Sequence, residues 1–108
     1  MALRLRYGDD KSIVLSSGQI FIGRSTECHV QVRDILASRR HAEITMSKAG
    51  AFVSDLGSRQ LIVYNANNGV EKLRQPLPFG PTALSLNKAQ RIAWLTGVGG
   101  ELLGVSYP

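Results

Sequence analysis

Asp34-Ile35-Leu36-Ala37-Ser38-Arg39-Arg40-His41-Ala42-Glu43-Ile44 is the segment that decides whether this chain carries a helix or is built from strands alone. It lies in a run from Arg24 to Ala49 that contains neither glycine nor proline, and Asp34 is placed to cap a helix closing near Gly50. Propensity alone favours that helix. The apolar pattern opposes it. A helical face holding Ile35 and Ala42 also takes in Arg39, whereas His41 to Met46 alternates, with Ala42, Ile44 and Met46 on one side. We read a loop followed by a strand.

The rest of the chain repeats this period of two. Leu3, Leu5 and Tyr7 alternate with Arg4 and Arg6, and Ser12 to Leu15 returns after the turn residues Gly8 to Lys11. Ile20 and Ile22 share one face of the next strand, with Phe21 on the other, and Val30 and Val32 are expected to point inward from a short strand at 29–32. Further strands are expected at 51–54, 61–64, 70–73, 82–86, 91–96 and 102–106. Asn67-Asn68-Gly69 marks a tight turn, and Gly97-Val98-Gly99-Gly100 a hairpin loop. Trp94 continues an apolar strand face and is expected in the core. Short strands at this spacing, punctuated by Gly, Asn and Pro, give an all-β fold, a sandwich or barrel.

Composition narrows the chemistry. A chain of 108 residues, 44% of them hydrophobic, fits one domain able to build its own core. Cys28 is the single cysteine, so an intrachain disulfide is excluded and a reducing, cytoplasmic location is expected. No apolar run is long enough to cross a bilayer as a helix, so membrane insertion is not expected. Neither histidine stands at metal-ligand spacing from another strong ligand, so no metal or cofactor is expected. Cys28 and His29 are adjacent, but neighbours on a strand face opposite ways, which argues against a nucleophile and its base. An enzyme is the least favoured class. Thirteen Lys and Arg against eight Asp and Glu give a net charge of +5, and nine of those cations are arginines, which grip phosphate and carboxylate with a planar fork. An anionic partner is favoured.

The informative residues are Gly23-Arg24, Ser38-Arg39-Arg40-His41 and Asp55-Leu56-Gly57-Ser58-Arg59-Gln60, each where a strand meets a loop. In type, order and spacing this resembles the forkhead-associated (FHA) domain, whose signature is a Gly-Arg, a Ser-x-x-His and a D-L-x-S-x-N-G segment. The resemblance implies an eleven-stranded β-sandwich of two antiparallel sheets over residues 1–108, a single domain that can also be the N-terminal part of a larger protein. It further implies a non-catalytic module that binds a phosphothreonine-containing protein or peptide, such as the substrate of a Ser/Thr kinase in a bacterial signalling or secretion assembly. Binding loops are expected at 23–27, 33–40 and 57–60, clustered at one end.

By that resemblance, Arg24 contacts the phosphate or the adjacent peptide, Ser38 donates its hydroxyl to the phosphate, and Arg39 touches the peptide backbone. Ser58, Arg59 and Gln60 complete the site. Gly23 and His41 are structural: Gly23 has no room for a side chain, and His41 is at least half buried, bracing the loops through hydrogen bonds to backbone. A phosphothreonine carries close to two charges and three acceptor oxygens, so guanidinium and hydroxyl donors converging on one spot suit it. The third element departs from the pattern, with Arg59, Gln60 and Leu61 where the family has Thr, Asn and Gly. Glutamine carries the same amide one methylene farther out, and Leu61 removes left-handed backbone freedom at that turn. A later G-D-x-I element reads Gly80-Pro81-Thr82-Ala83-Leu84. These departures define the alternative, a phospho-independent scaffold or oligomerisation domain of the same fold. A basic helix carrying Arg33, Arg39 and Arg40 would instead suit nucleic acid, but Phe21 and Phe52 read as core and no aromatics interleave with the cations, so nucleic acid is not an expected partner.

Overall fold

The computed structural model describes residues 3–7, 11–15, 18–32 and 40–108. Their eleven strands follow in chain order as β1 (Leu3–Tyr7), β2 (Lys11–Leu15), β3 (Gly18–Gly23), β4 (Val30–Gln31), β5 (Ala42–Ser47) and β6 (Gly50–Asp55), then β7 (Gln60–Tyr64), β8 (Glu71–Pro76), β9 (Pro81–Asn87), β10 (Ile92–Gly97) and β11 (Leu102–Ser106). The alternation from Ala42 to Met46 is therefore a strand, as its period requires. Residues 33–39, which the helical alternative would need, lie outside the described residues.

Six strands form one sheet in the order β4-β3-β5-β6-β7-β8, three form a second in the order β11-β10-β9, and β1 pairs with β2 as a hairpin. Neighbours are antiparallel except β3 and β4, whose parallel ladder sets Ile22 beside Val30 and Gly23 beside Gln31. The loop at 24–29 brings the chain round to run in its original direction, so the sheet departs there from a purely antiparallel pattern.

The two sheets enclose the main core. Phe52, Leu61 and Val63 from the larger sheet meet Leu84, Ala93, Leu95 and Val105 from the smaller, joined by Leu77, Phe79 and Tyr107. The shortest dimension, 19 Å, suits two sheets stacked about 10 Å apart. The opposite face of the large sheet carries Ile20, Ile44, Met46 and Ala51, against which Ile13 of the hairpin packs. This sheet thus buries side chains on both faces; in β5 the apolar Ile44 and Met46 lie on the face toward the hairpin, and the buried Glu43 lies on the other.

Two expected core residues lie outside it. Trp94 is 38% exposed while its neighbours Ala93 and Leu95 are fully buried, so the alternation of β10 turns the indole outward. It lies over Gly104, where an added Cβ would come within 2.8 Å of Trp94 Cζ3. Val32, one residue past β4, is likewise exposed, because the two-residue strand ends before the alternation can carry it inward. The turns agree with the sequence. Gly69 adopts φ 72° with Asn65 Oδ1 accepting the Asn67 N–H, and Gly100 adopts φ 86° in the hairpin between β10 and β11.

Candidate loop site at one end of the sandwich

Strand register fixes the geometry of the candidate site. Gly23 pairs with Gln31, Ile22 with Ala42, Ala42 with Asp55, Asp55 with Gln60 and Gln60 with Pro76. These pairs form one row across the sheet, and every loop that leaves the row emerges at the same end. Arg24 follows Gly23, His41 precedes Ala42, and Leu56 to Arg59 bridge Asp55 and Gln60. From β3 to β7 is three strand spacings, about 14 Å. The Arg24 loop and the 56–59 loop therefore flank a strip wide enough for one extended peptide.

Each loop is held by local hydrogen bonds. Ser25 Oγ accepts the Glu27 N–H at 3.2 Å, the Ser25 carbonyl accepts the Cys28 N–H at 3.1 Å, and Gln31 Nε2 donates to the Arg24 carbonyl at 3.1 Å. His29 Nδ1 accepts the Phe21 N–H at 3.1 Å, tying the end of the loop back to β3. In the 56–59 loop Asp55 Oδ1 accepts the Gly57 N–H at 2.9 Å, and the Asp55 carbonyl accepts the Arg59 N–H at 2.9 Å. Arg59 closes this turn in the left-handed region, φ 54°, a conformation that costs a residue with a Cβ about 1 to 2 kcal/mol. Its carbonyl accepts the Leu77 N–H at 2.8 Å, which fixes the loop to the chain beyond β8.

His41 joins the loops. Its backbone N–H donates to the Ile22 carbonyl at 2.7 Å and its carbonyl accepts the Leu56 N–H at 2.8 Å, linking β3 to the 56–59 loop. Its side chain is two-thirds buried, and Nε2 lies 3.4 Å from Asp55 Oδ1, the same oxygen that caps Gly57. The imidazole thus meets a side-chain carboxylate, while the bonds to Ile22 and Leu56 are made by the main chain of residue 41. A Cβ on Gly57 would come within 2.5 Å of His41 Nε2, so a side chain there would push the imidazole from its place beside Asp55. Asp55 and Gly57 are structural residues that the motif reading left unassigned; Asp two residues before Gly in a turn is the signal for the Asx turn they form. His41→Ala is expected to destabilise the domain by about 1 to 3 kcal/mol through the lost bridge to Asp55, measured as a lower urea midpoint.

Arg24, Ser58 and Arg59 are exposed, and neither their guanidiniums nor the Ser58 hydroxyl has a partner among the described residues. Ser38 and Arg39 lie outside the described residues. Gly23 ends β3 and is buried. Gln60 opens β7, and its Oε1 accepts a hydrogen bond from Arg74 Nη1 at 2.6 Å. Arg74 also pairs with Glu71 at 2.6 Å, and that guanidinium holds the exposed Glu71 carboxyl below its ordinary value. Leu61 is fully buried in β7, opposite Ser54 and Gln75, and belongs to the core. The left-handed position of this turn is Arg59, two residues earlier, so Leu61 takes no backbone freedom from it.

Arg40, read from the sequence only as part of a basic pair, has a specific seat. Its guanidinium carbon lies 4.3 Å from the centre of the Phe21 ring. With Ser25, Glu27 and Thr82 it lines a cleft of about 410 Å³ beside the Arg24 loop. Beneath it, on β5, Glu43 is buried, accepting hydrogen bonds from Gln19 Nε2 at 2.8 Å and Thr45 Oγ1 at 3.3 Å. Burial pushes the Glu43 carboxyl above its ordinary 4.5, against the opposing pull of Thr45, the Leu84 backbone and the Arg40 charge. The folded chain therefore holds this proton to higher pH than the unfolded chain. Its contribution to stability is fully present below about pH 4.5 and is lost as pH rises through the folded-state value. Glu43→Gln is expected to be more stable than the parent at pH 7 and equal to it near pH 4, read from urea midpoints at both. Equal pH slopes for the two proteins would refute this.

Among the described residues no three of His, Cys, Asp or Glu cluster as metal ligands, and no helix is long and apolar enough to cross a membrane. A family model described as the FHA domain matches residues 20–83, which runs from β3 into the start of β9 and takes in all three loop elements. The chain matches no curated protein and no solved structure at a significant level.

Proposed function

Because the chain belongs to the FHA domain family, whose members are non-catalytic interaction modules, we propose that it is a single domain over residues 1–108 that reads phosphothreonine in a partner protein. One observation carries the reading: Arg24, Ser58 and Arg59 present donors without a partner among the described residues, on two loops that leave the same end of the sheet. Two guanidiniums and a hydroxyl supply the charge and hydrogen bonds that a dianionic phosphate needs. Loops on a rigid sandwich hold such donors in place without collapsing onto one another. The left-handed Arg59 agrees with this role, since a strained cation kept where glycine would be cheaper points to use of its side chain.

In this reading Ser38 and Arg39 add a hydroxyl and a peptide-backbone contact from the segment before His41. The partner is the phosphorylated substrate of a Ser/Thr kinase in a bacterial signalling assembly in the cytoplasm. One feature favours the phospho-independent scaffold instead. The Gln60 amide oxygen is engaged by Arg74, so the side chain at the family's asparagine position is partly committed within the domain.

A calorimetric titration with a degenerate phosphothreonine peptide library, beside its unphosphorylated twin, separates the two. Binding of the phosphorylated library alone supports phosphate reading. Equal binding of both, or of neither, supports the scaffold.

A further inference from the structure

We propose that the end of the sandwich opposite these loops carries a second binding site, which takes an acidic peptide segment. The turn between β5 and β6, the turn between β9 and β10, and the residues after β11 enclose a cleft of about 530 Å³. Lys48, Lys88 and Arg91 line it together with Ala49, Tyr107 and Pro108. β5 runs from Ala42 beside the phosphate-reading loops to Ser47 at this cleft, and β9 runs from Thr82 beside Arg40 to Asn87 just before Lys88. At about 3.3 Å per residue the two ends lie roughly 17 to 20 Å apart, beyond the screening length of about 8 Å at physiological salt. The sites are therefore electrostatically separate.

The electrostatics of this cleft are one-sided. None of its three cations has a hydrogen bond or ion pair among the described residues, and no Asp or Glu side chain lines it. A fourth cation stands close by, since Lys72 Nζ donates to the Ala49 carbonyl at 2.7 Å and fixes one wall. Arg91 adopts φ 55°, held by the Tyr107 N–H donating to its carbonyl at 3.0 Å. The backbone there asks for glycine or asparagine, and the chain places a cation instead.

The form of the cleft selects the ligand. Its cations come from turns on both sheets, so they suit several anionic groups spaced along a chain, with Ala49, Tyr107 and Pro108 as an apolar floor for the intervening atoms. A lone phosphate would call for a converging fork, and only Arg91 offers a planar one. Nucleic acid would call for an aromatic face on which bases stack. Tyr107 is 6% exposed and packs edge-on against Phe52 at 4.7 Å, so it offers none.

The test is a calorimetric titration of the whole chain with an acetylated, amidated hexaglutamate peptide at low salt. Three proteins are compared: the parent, Lys48→Gln/Lys88→Gln, and Arg4→Gln/Lys11→Gln, which loses the same charge from exposed positions on the β1–β2 hairpin, outside both proposed sites. The proposal expects saturable binding to the parent, about fivefold weaker for Lys48→Gln/Lys88→Gln and little changed for the hairpin variant. Arg91→Gly, which relaxes the turn and so folds at least as well, is expected to weaken binding in the same direction. Absence of binding to the parent would overturn the proposal, as would equal losses in the two double variants, which would reveal diffuse charge. So would competition by inorganic phosphate at equal concentration, or tighter binding of a hexathymidylate through the same lysines.

Discussion

Leu61→Gly is expected to destabilise the domain by about 3 to 5 kcal/mol, although it installs the glycine found in the family pattern at that point. Leu61 has no exposed surface and packs with Phe52, Val63 and Leu77 between the two sheets. Its truncation removes the whole side chain from a β-strand flanked on both sides, so the surrounding residues can close the cavity only in part. Urea unfolding monitored by circular dichroism measures the loss, and a change smaller than about 1 kcal/mol would show that Leu61 is not a core residue. Gln60→Asn alone leaves the strand intact, so it separates the effect of the amide's reach from damage to the fold.

The double variant Arg24→Ala/Arg59→Ala is expected to weaken phosphothreonine peptide binding by tenfold or more. A charge-assisted hydrogen bond contributes roughly 1.5 to 3 kcal/mol, and because both guanidiniums act on one phosphate their losses are coupled, the double variant losing at least what the stronger bond contributes. Both side chains are exposed and without a partner among the described residues, so their removal should leave the urea midpoint nearly unchanged. A loss of affinity without a loss of stability is the signature of a binding role. Comparable losses in both would instead mark these arginines as part of the fold.

Much of this architecture is legible in the residues themselves, because period-two alternation and turn chemistry are local. Ile20, Ile44 and Val63 are buried as their patterns require, and Asn67-Asn68-Gly69 forms its turn. What stays hidden depends on tertiary position. Trp94 looks like core in a run of apolar residues, and only the fully buried Ala93 and Leu95 on either side show that it faces out. The parallel pairing of β3 and β4 rests on the course of the 24–29 loop, which no spacing reports. At the site, Arg24, His41, Ser58 and Arg59 stand out through their motifs. Asp55, Gly57 and Arg40 become informative only when the Asp55 carboxylate is seen between Gly57 and His41, and the Arg40 guanidinium over Phe21. The role of Leu61 is misread from the motif because the turn closes at Arg59, before β7 begins.

The central claim is that the loops around Arg24 read a phosphate, and a double-mutant cycle between that residue and the phosphate tests it most directly. Four dissociation constants are needed: the parent and Arg24→Ala, each with one phosphothreonine peptide and with its unphosphorylated twin. The account predicts that phosphorylation tightens binding to the parent by tenfold or more, that most of this gain disappears in Arg24→Ala, and that the unphosphorylated peptide binds both proteins alike. This corresponds to a coupling of roughly 1.5 to 3 kcal/mol. A coupling near zero, with phosphorylated and plain peptides bound equally by both proteins, would contradict it.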